Sequence, residues 1–280
     1  MPKRPSLVKQ VQNVLDSKLK IGHSKHDDKK DRVYTDHIYS WSTYRSYLKH
    51  GCYFVNWAKT THGCKDLDSA KPFIDEYIRL RNDNGLSPYT QKLDAAALAK
   101  LYGCSAKDFI KTPSRHRVNI TRSRGVKVRD KHFSEKRNRE FVDFCKATGL
   151  RRSEISALRS DQLFFDEDAK IYFLEVVGKG GRHRVAPVLS NEAVERIKNA
   201  KGLVWKKVPN GADIHSYRGD YSTAIYNMHA RPLKKIPKKE LYFCRKDLKG
   251  VWYDKKAMLI ASNALGHNRI SVIAAHYIKK

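Results

Sequence analysis

Between Asp36 and Ala58 the apolar residues Ile38, Trp41, Tyr44, Leu48, Cys52 and Val55 recur every three or four positions. A helix of 3.6 residues per turn gathers that spacing into one buried stripe, whereas a strand would scatter it over both faces. Phe73, Ile74, Tyr77 and Ile78 form a second stripe. A third helix is expected to open at Ser87-Pro88, a cap followed by proline in the first turn, and to run through Leu93, Ala97 and Leu101. Residues 36–111 therefore read as a small helical bundle, preceded by a basic N-terminal segment over residues 1–35.

That pattern stops at Thr112. From there to Lys131 the chain carries Arg115, Arg117, Arg122, Arg124, Lys127, Arg129 and Lys131 with almost no acidic residue and little periodicity. A domain boundary belongs here, with a helical domain and its basic linker over 36–125 and a second domain over 126–280. Such a charge run suits a strap lying along phosphates, contacted through Arg122, Arg124 and Lys127; a solvated linker presents the same composition. Helical spacing resumes at Ser134, carries Phe141, Phe144 and Cys145 as far as Gly149, and begins again near Ser153, leaving Arg151 in the turn between. Lys170–Val177 and Arg182–Val188 are rich in β-branched and aromatic residues and flank Gly178-Lys179-Gly180-Gly181, hairpin chemistry that puts Lys179 at a turn. A second hairpin is expected over Leu241–Asp254, around Lys249-Gly250. The fold class is thus mainly α with a small antiparallel β-sheet, a helical domain followed by a mixed α/β domain.

Charge narrows the partner. The 280 residues hold 57 Lys and Arg against 29 Asp and Glu, a net charge of +28. Residues 1–125 carry 24 basic and 12 acidic side chains and residues 126–280 carry 33 and 17, so both halves are cationic. A surplus spread over folded domains points to a polyanion, of which a nucleic-acid backbone is the commonest, although a merely soluble basic protein has the same composition. Cys52, Cys64, Cys104, Cys145 and Cys244 are odd in number and contain no C-x-x-C pair, which fits a reducing cytoplasm better than a disulfide framework. The start lacks the apolar core of a signal peptide, and nowhere do eighteen apolar residues run together, so no membrane span is expected. His23, His26, Asp27 and Asp28, or His62 with Cys64, complete no four-ligand spacing; no metal and no cofactor are expected.

Four segments of the second half carry side chains suited to a phosphodiester. Phosphoryl transfer requires charge to be neutralised on non-bridging oxygens, a task for guanidinium forks, and a proton to be delivered to the leaving alkoxide. Thr148–Leu158 holds Arg151, Val176–Val188 holds Lys179, His215–Thr223 holds a His-x-x-Arg pair, and Leu265–Tyr277 holds a histidine followed by a tyrosine. Taken singly, each has an ordinary structural role: an arginine pairs with a nearby glutamate, a lysine in a Gly-rich turn is solvated, and single histidines and tyrosines on helices pack or face solvent. Their joint occurrence in this order is what matters.

TGLRRSEISAL, VVGKGGRHRVAPV, HSYRGDYST and LGHNRISVIAAHY together resemble the catalytic domain of tyrosine recombinases, the phage-type integrases, over residues 130–280. The preceding bundle resembles the family's core-binding domain more loosely. The resemblance implies a site-specific DNA recombinase that cleaves and rejoins duplex DNA through a 3′-phosphotyrosine, with no need of ATP or metal. By position, Arg151 and Arg218 would bind the scissile phosphate, Lys179 would protonate the departing 5′ oxygen, and His215 would assist proton transfer or orient the phosphate. His267 would donate a hydrogen bond to the phosphate, and Tyr277, the only tyrosine after Tyr253, would be the nucleophile. Arg182 and Arg184, too basic to be ready proton donors, are assigned to DNA-backbone binding. Glu154 is expected to orient an arginine, and His276, pointing elsewhere on the helix, is not expected to act as base.

The chain departs from the family pattern in several places. Tyr277 lies ten residues after His267 rather than nine, a helical phase change of about 100°. Gly219 and Asp220 stand where many relatives carry histidine and a small hydroxyl residue. Residues 229–255, with the basic stretch Arg231–Lys239, read as an insertion that adds DNA or subunit contacts. Three residues follow Tyr277, so coupling between subunits is expected to use an element other than a C-terminal helix. The resemblance further implies a homotetramer on paired DNA sites, with accessory DNA-bending proteins. Two other functions use the same features: a type IB topoisomerase-like enzyme that nicks and religates, and a DNA-binding protein without catalysis.

Overall fold

The computed structural model describes residues 4–31, 36–116, 133–178, 181, 183–267 and 269–278. Lys179, Arg182, Arg122, Arg124 and Lys127 lie outside the described residues. The chain divides into two compact units, residues 1–120 and 121–280.

The first unit is helical: α1 (Leu7–Asp16), α2 (Lys25–Lys30), α3 (Trp41–His62), α4 (Leu67–Ala70), α5 (Ile74–Asp83) and α6 (Pro88–Tyr102). Ser6, Ser40 and Ser87 cap α1, α3 and α6, each side chain accepting from a backbone N–H three residues on, which satisfies a donor the helix itself cannot. The N-terminal segment is not a separate arm. Leu7, Val11 and Leu15 recur every four residues along α1 and are buried in the bundle core with Phe54, Val55, Ile74, Tyr77 and Leu98. Gly51 makes that contact possible, since a Cβ there would lie 2.9 Å from Val11 Cγ1. The long helix starts at Trp41 rather than Asp36 because Ser40 supplies the cap, while Ile38 reaches the core from a parallel bridge to Leu19.

The second unit mixes helices with two small antiparallel sheets. It runs α7 (Arg139–Thr148), α8 (Arg152–Ala157), β1 (Leu163–Asp166), β2 (Ile171–Val177), β3 (His183–Pro187), α9 (Asn191–Lys198), α10 (Ile214–His229), β4 (Leu241–Phe243), β5 (Trp252–Asp254), α11 (Lys255–Ala264) and α12 (Ile270–His276). β2 and β3 pair from Phe173↔Pro187 to Val177↔His183, as the hairpin chemistry requires. Sequence patterning does not anticipate β1, which pairs with β2 through a turn where the Asp166 side chain accepts from the N–H groups of Asp168 and Ala169.

α10 joins two cores. Tyr217 packs with Phe141, Leu150, Ile155, Leu158, Leu174 and Ile197, whereas Tyr221 and Ile225 pack with Met258, Ala261, Leu265, Ile273 and Tyr277. The second hairpin is present, with β4 paired to β5 in the register Leu241↔Asp254 and Gly250 at φ +90° in its connection. Arg231 anchors its base, donating from Nε and Nη2 to the fully buried Asp254 carboxylate and from Nη1 to Glu240, each at 2.7 Å. That fork holds the Asp254 carboxyl well below the usual carboxylate range. Among the described residues, no helix is long and apolar enough to cross a membrane, and no cluster of three or more His, Cys, Asp or Glu side chains could hold a metal ion.

Candidate active site

α7 ends at Gly149, where the backbone turns into the left-handed region at φ +59°. A side chain would not fit there: a Cβ would stand 2.3 Å from the ring of the buried Tyr221. The tight turn drops Leu150 into the core and leaves Arg151 as the residue that begins α8. One helical turn on, Glu154 reaches back. Its Oε2 accepts from the Arg151 backbone N–H and its Oε1 from Arg151 Nη1, both at 2.7 Å. Oε2 also accepts from Arg184 Nη2 at 2.8 Å and lies 3.9 Å from Arg218 Nη1. Glu154 thus serves two arginines directly, the orienting role expected of it, and stands near a third.

The His-x-x-Arg pair lies in the first turns of α10, whose start is capped by Asp213 accepting from the Ser216 N–H at 3.0 Å. A spacing of three puts His215 and Arg218 on one helical face. Arg218 is 2% exposed; Nη1 donates to the Gly149 carbonyl and Nη2 to the Leu265 carbonyl at 3.1 Å. Arg151 Nη2 donates to the same Leu265 oxygen at 3.2 Å, so one carbonyl holds both guanidiniums beside each other. Burial lowers the pKa of Arg218, an effect that Tyr277 and Glu154 oppose. Arg218 Nε is buried with no partner among the described residues.

The remaining two groups come from the C-terminal helices. α11 stops before Gly266, at φ +69°, and the His267 backbone is clasped on both sides: its N–H donates to the Ser262 carbonyl at 2.8 Å, and Ser262 Oγ donates to its carbonyl at 2.9 Å. Tyr277 is the first residue past α12, at φ −121°, and is 5% exposed. Its ring meets His215 edge-on with centroids 4.9 Å apart, lies 5.0 Å from the His267 ring, and sits under the Arg218 guanidinium at 5.7 Å. Within the ten residues from His267 to Tyr277, α12 begins only at Ile270 and Tyr277 has already left the helix. His276 faces solvent while Tyr277 faces inward. Burial, reinforced by the charges of Arg218, Arg151 and Arg184, pushes the His267 pKa down to about 4, and its Nε2 is buried with no partner among the described residues.

Five of the six expected side chains, Arg151, His215, Arg218, His267 and Tyr277, converge here, and the sixth, Lys179, falls outside the described residues. Arg151, Arg152, Asp213, His215, Arg218 and Tyr277 line a cleft of about 380 Å³. Arg152 is a site residue that the sequence pattern does not single out from its neighbour Arg151. It donates to the Pro209 and Ala212 carbonyls at 2.7 and 2.8 Å and so fixes the loop leading into α10 and His215. Arg184 corrects an expectation. Its side chain is 4% exposed and bonded to Glu154 and to the Ala264 carbonyl, so it is an interior group and not a surface contact for the DNA backbone. β3 alternates its faces, and Arg184 falls on the inward one with Ala186. Gly219 is buried in α10, and Asp220 lies 3.9 Å from Lys146.

No protein-family model and no curated protein matches the chain. Among solved structures it is similar to the XerH site-specific recombinase bound to palindromic difH substrate in a post-cleavage complex, at 12% identity over 98% of this chain and 91% of that one, with a TM-score of 0.48. It is also similar to the Tn1549 transposon integrase in complex with transposon right end DNA, at 12% identity over 99% and 96%, TM-score 0.45. A third is XerA recombinase, at 13% identity over 97% and 94%, TM-score 0.32. All three are tyrosine recombinases, the family that the four sequence segments resemble. At that distance the roles of individual residues rest on the cleft itself.

Proposed function

We propose that this chain is a DNA strand transferase of the tyrosine type, a site-specific recombinase. One observation carries the reading: a tyrosine ring in contact with two histidines and a buried arginine, beside a cleft that presents guanidiniums, with Arg218 Nε and His267 Nε2 buried and without hydrogen-bond partners among the described residues. Buried donors without partners carry a desolvation cost that an incoming anion relieves. A phosphodiester has the charge and the oxygens to do so. Arg151 and Arg218 would neutralise its non-bridging oxygens, each preorganised donor contributing on the order of 10²- to 10³-fold in rate. Tyr277 Oη attacks the phosphorus as its proton passes to His215; the bond to the 5′ oxygen breaks, that oxygen takes a proton from Lys179, and the strand is held as a 3′-phosphotyrosine. Attack by a 5′ hydroxyl on that ester restores the phosphodiester, so the exchange conserves bond energy. Four protomers on two DNA sites, helped by accessory bending proteins, would exchange strands in pairs.

The test is a denaturing-gel assay for covalent adducts on nicked duplexes drawn from the DNA flanking the gene, comparing the wild type with Tyr277→Phe. An adduct with the wild type that vanishes in the variant is the expected outcome. Bound nicks without an adduct from either protein would make this a DNA-binding protein. Relaxation of supercoiled plasmid without joint products from two DNA molecules would make it a nicking and religation enzyme.

A further inference from the structure

Arg184 is the buried cation that the proposed chemistry leaves unused. It stands on β3, five residues after Lys179, and three elements meet on its side chain. Nε donates to the Ala264 carbonyl at the end of α11 at 3.0 Å. Nη2 donates to Glu154 Oε2 at 2.8 Å, and the other oxygen of that carboxylate holds Arg151 Nη1 at 2.7 Å. Its Cδ occupies the space where Gly266 would carry a side chain, 2.7 Å from a Cβ built there. The residues after Ala264 are the ones that matter for the cleft: the Leu265 carbonyl accepts from both Arg151 and Arg218, and His267 lies against Tyr277. A guanidinium is suited to this place because its planar fork reaches the carbonyl and the carboxylate at once from fixed angles, which a lysine ammonium on a flexible stem cannot do.

We propose that Arg184 is a positioning residue for the strand-transfer reaction, setting the 265–267 turn and Arg151 in register with each other about the scissile phosphate. The inference rests on the strand-transferase reading above. Arg184 lies under the 265–267 turn and bonds no closer to the cleft than Glu154, so its effect passes through His267, Leu265 and Glu154. Displacing reacting groups by as little as 1 Å costs on the order of 10²-fold in rate, so an anchor of this kind registers in the chemical step even where binding is intact.

The experiment compares wild type, Arg184→Lys and Arg184→Gln in single-turnover cleavage of a nicked duplex across pH, with duplex affinity and melting temperature measured in parallel. His267 is titrated by NMR in each free protein. The groups facing His267 are Arg218 and His215 of α10, Arg151 at the start of α8, Arg184 of β3 and Tyr277 after α12. Arg184→Lys keeps the charge and loses the fork: cleavage should fall on the order of 10²-fold with affinity and melting temperature near wild type. Arg184→Gln should fall as far and, with one cation removed, move the His267 titration to higher pH. Wild-type rates in Arg184→Lys would overturn the positioning role and leave the strand-transferase reading standing. Loss of cleavage only in proportion to lost affinity or melting temperature would also overturn it, as a merely structural effect. If the wild type itself forms no adduct the strand-transferase reading fails, and this role fails with it; the NMR titration then still reports whether Arg184 holds His267 in its environment.

Discussion

Glu154 is one carboxylate among three guanidiniums, those of Arg151, Arg184 and Arg218, all within 4 Å of it. Two unit charges 4 Å apart interact by about 4 kcal/mol at an effective dielectric of 20, so one carboxylate leaves the cluster with an unbalanced positive potential. That surplus is what an anion meets in the cleft. The same surplus acts on His267. Folded, it stays neutral down to about pH 4, whereas in the unfolded chain a histidine protonates near its ordinary value of 6.5. Between those values the unfolded state binds more protons, so the stability contributed by a neutral His267 is complete above about pH 6.5, declines as pH falls, and is gone below about pH 4. Thermal melts of wild type and His267→Gln should therefore converge or cross as pH is lowered through that window. Curves that stay parallel from pH 7 to pH 4 would show that His267 is not held neutral.

Elements place these residues through their ends. Gly149 ends α7, Asp213 starts α10, Gly266 follows α11 and Tyr277 follows α12, so the cleft is assembled from helix termini rather than helix faces. Gly149→Ala tests this most directly. It would strain a left-handed backbone and drive a methyl group into the Tyr221 ring, a combined cost of about 2–4 kcal/mol. It would also disturb the carbonyl that receives Arg218. Urea unfolding should show a lower midpoint at unchanged slope, and adduct formation should fall further than stability alone explains. Both hairpins and the helices α3, α5, α6, α7 and α8 are legible in the sequence because glycine-containing turns, the Ser87 cap and 3.6-residue stripes are local signals. β1 is not, since four residues paired to a longer neighbour are defined by that pairing and not by their own pattern. The start of α3 is not legible for the related reason that Ile38 is buried by a bridge to Leu19, which mimics one more turn of the helical stripe.

At the scale of the whole molecule the net charge of +28 sets long-range behaviour. Each phosphate that the protein neutralises releases counterions, so affinity for duplex DNA should fall by about 10³- to 10⁵-fold between 50 and 200 mM salt if six to ten phosphates are contacted. Fluorescence anisotropy at graded salt measures the slope; a nearly flat dependence would mean that the surplus charge does not face DNA. Within residues 229–255, Lys234, Lys235, Lys238 and Lys239 are all exposed, while Arg231 is drawn inward by Asp254 and Glu240. Composition alone treats these five cations alike. Only packing separates the one that holds the hairpin from those left to solvent.

The amino-acid sequence by itself determined the cationic surplus of both halves and the division into a helical and a mixed half, because charge and periodicity are properties of the chain, and the resemblance of its four segments singled out Arg151, His215, Arg218, His267 and Tyr277 as candidates. It did not determine which cations face inward. Arg184 and Arg152 share their chemistry with Arg151, yet Arg184 is an interior anchor, while Arg151 and Arg152 both line the cleft and Arg152 in addition fixes a loop. That choice belongs to the tertiary structure, since burial of the Arg184 guanidinium depends on a carboxylate and a carbonyl brought from residues 30 and 80 positions away.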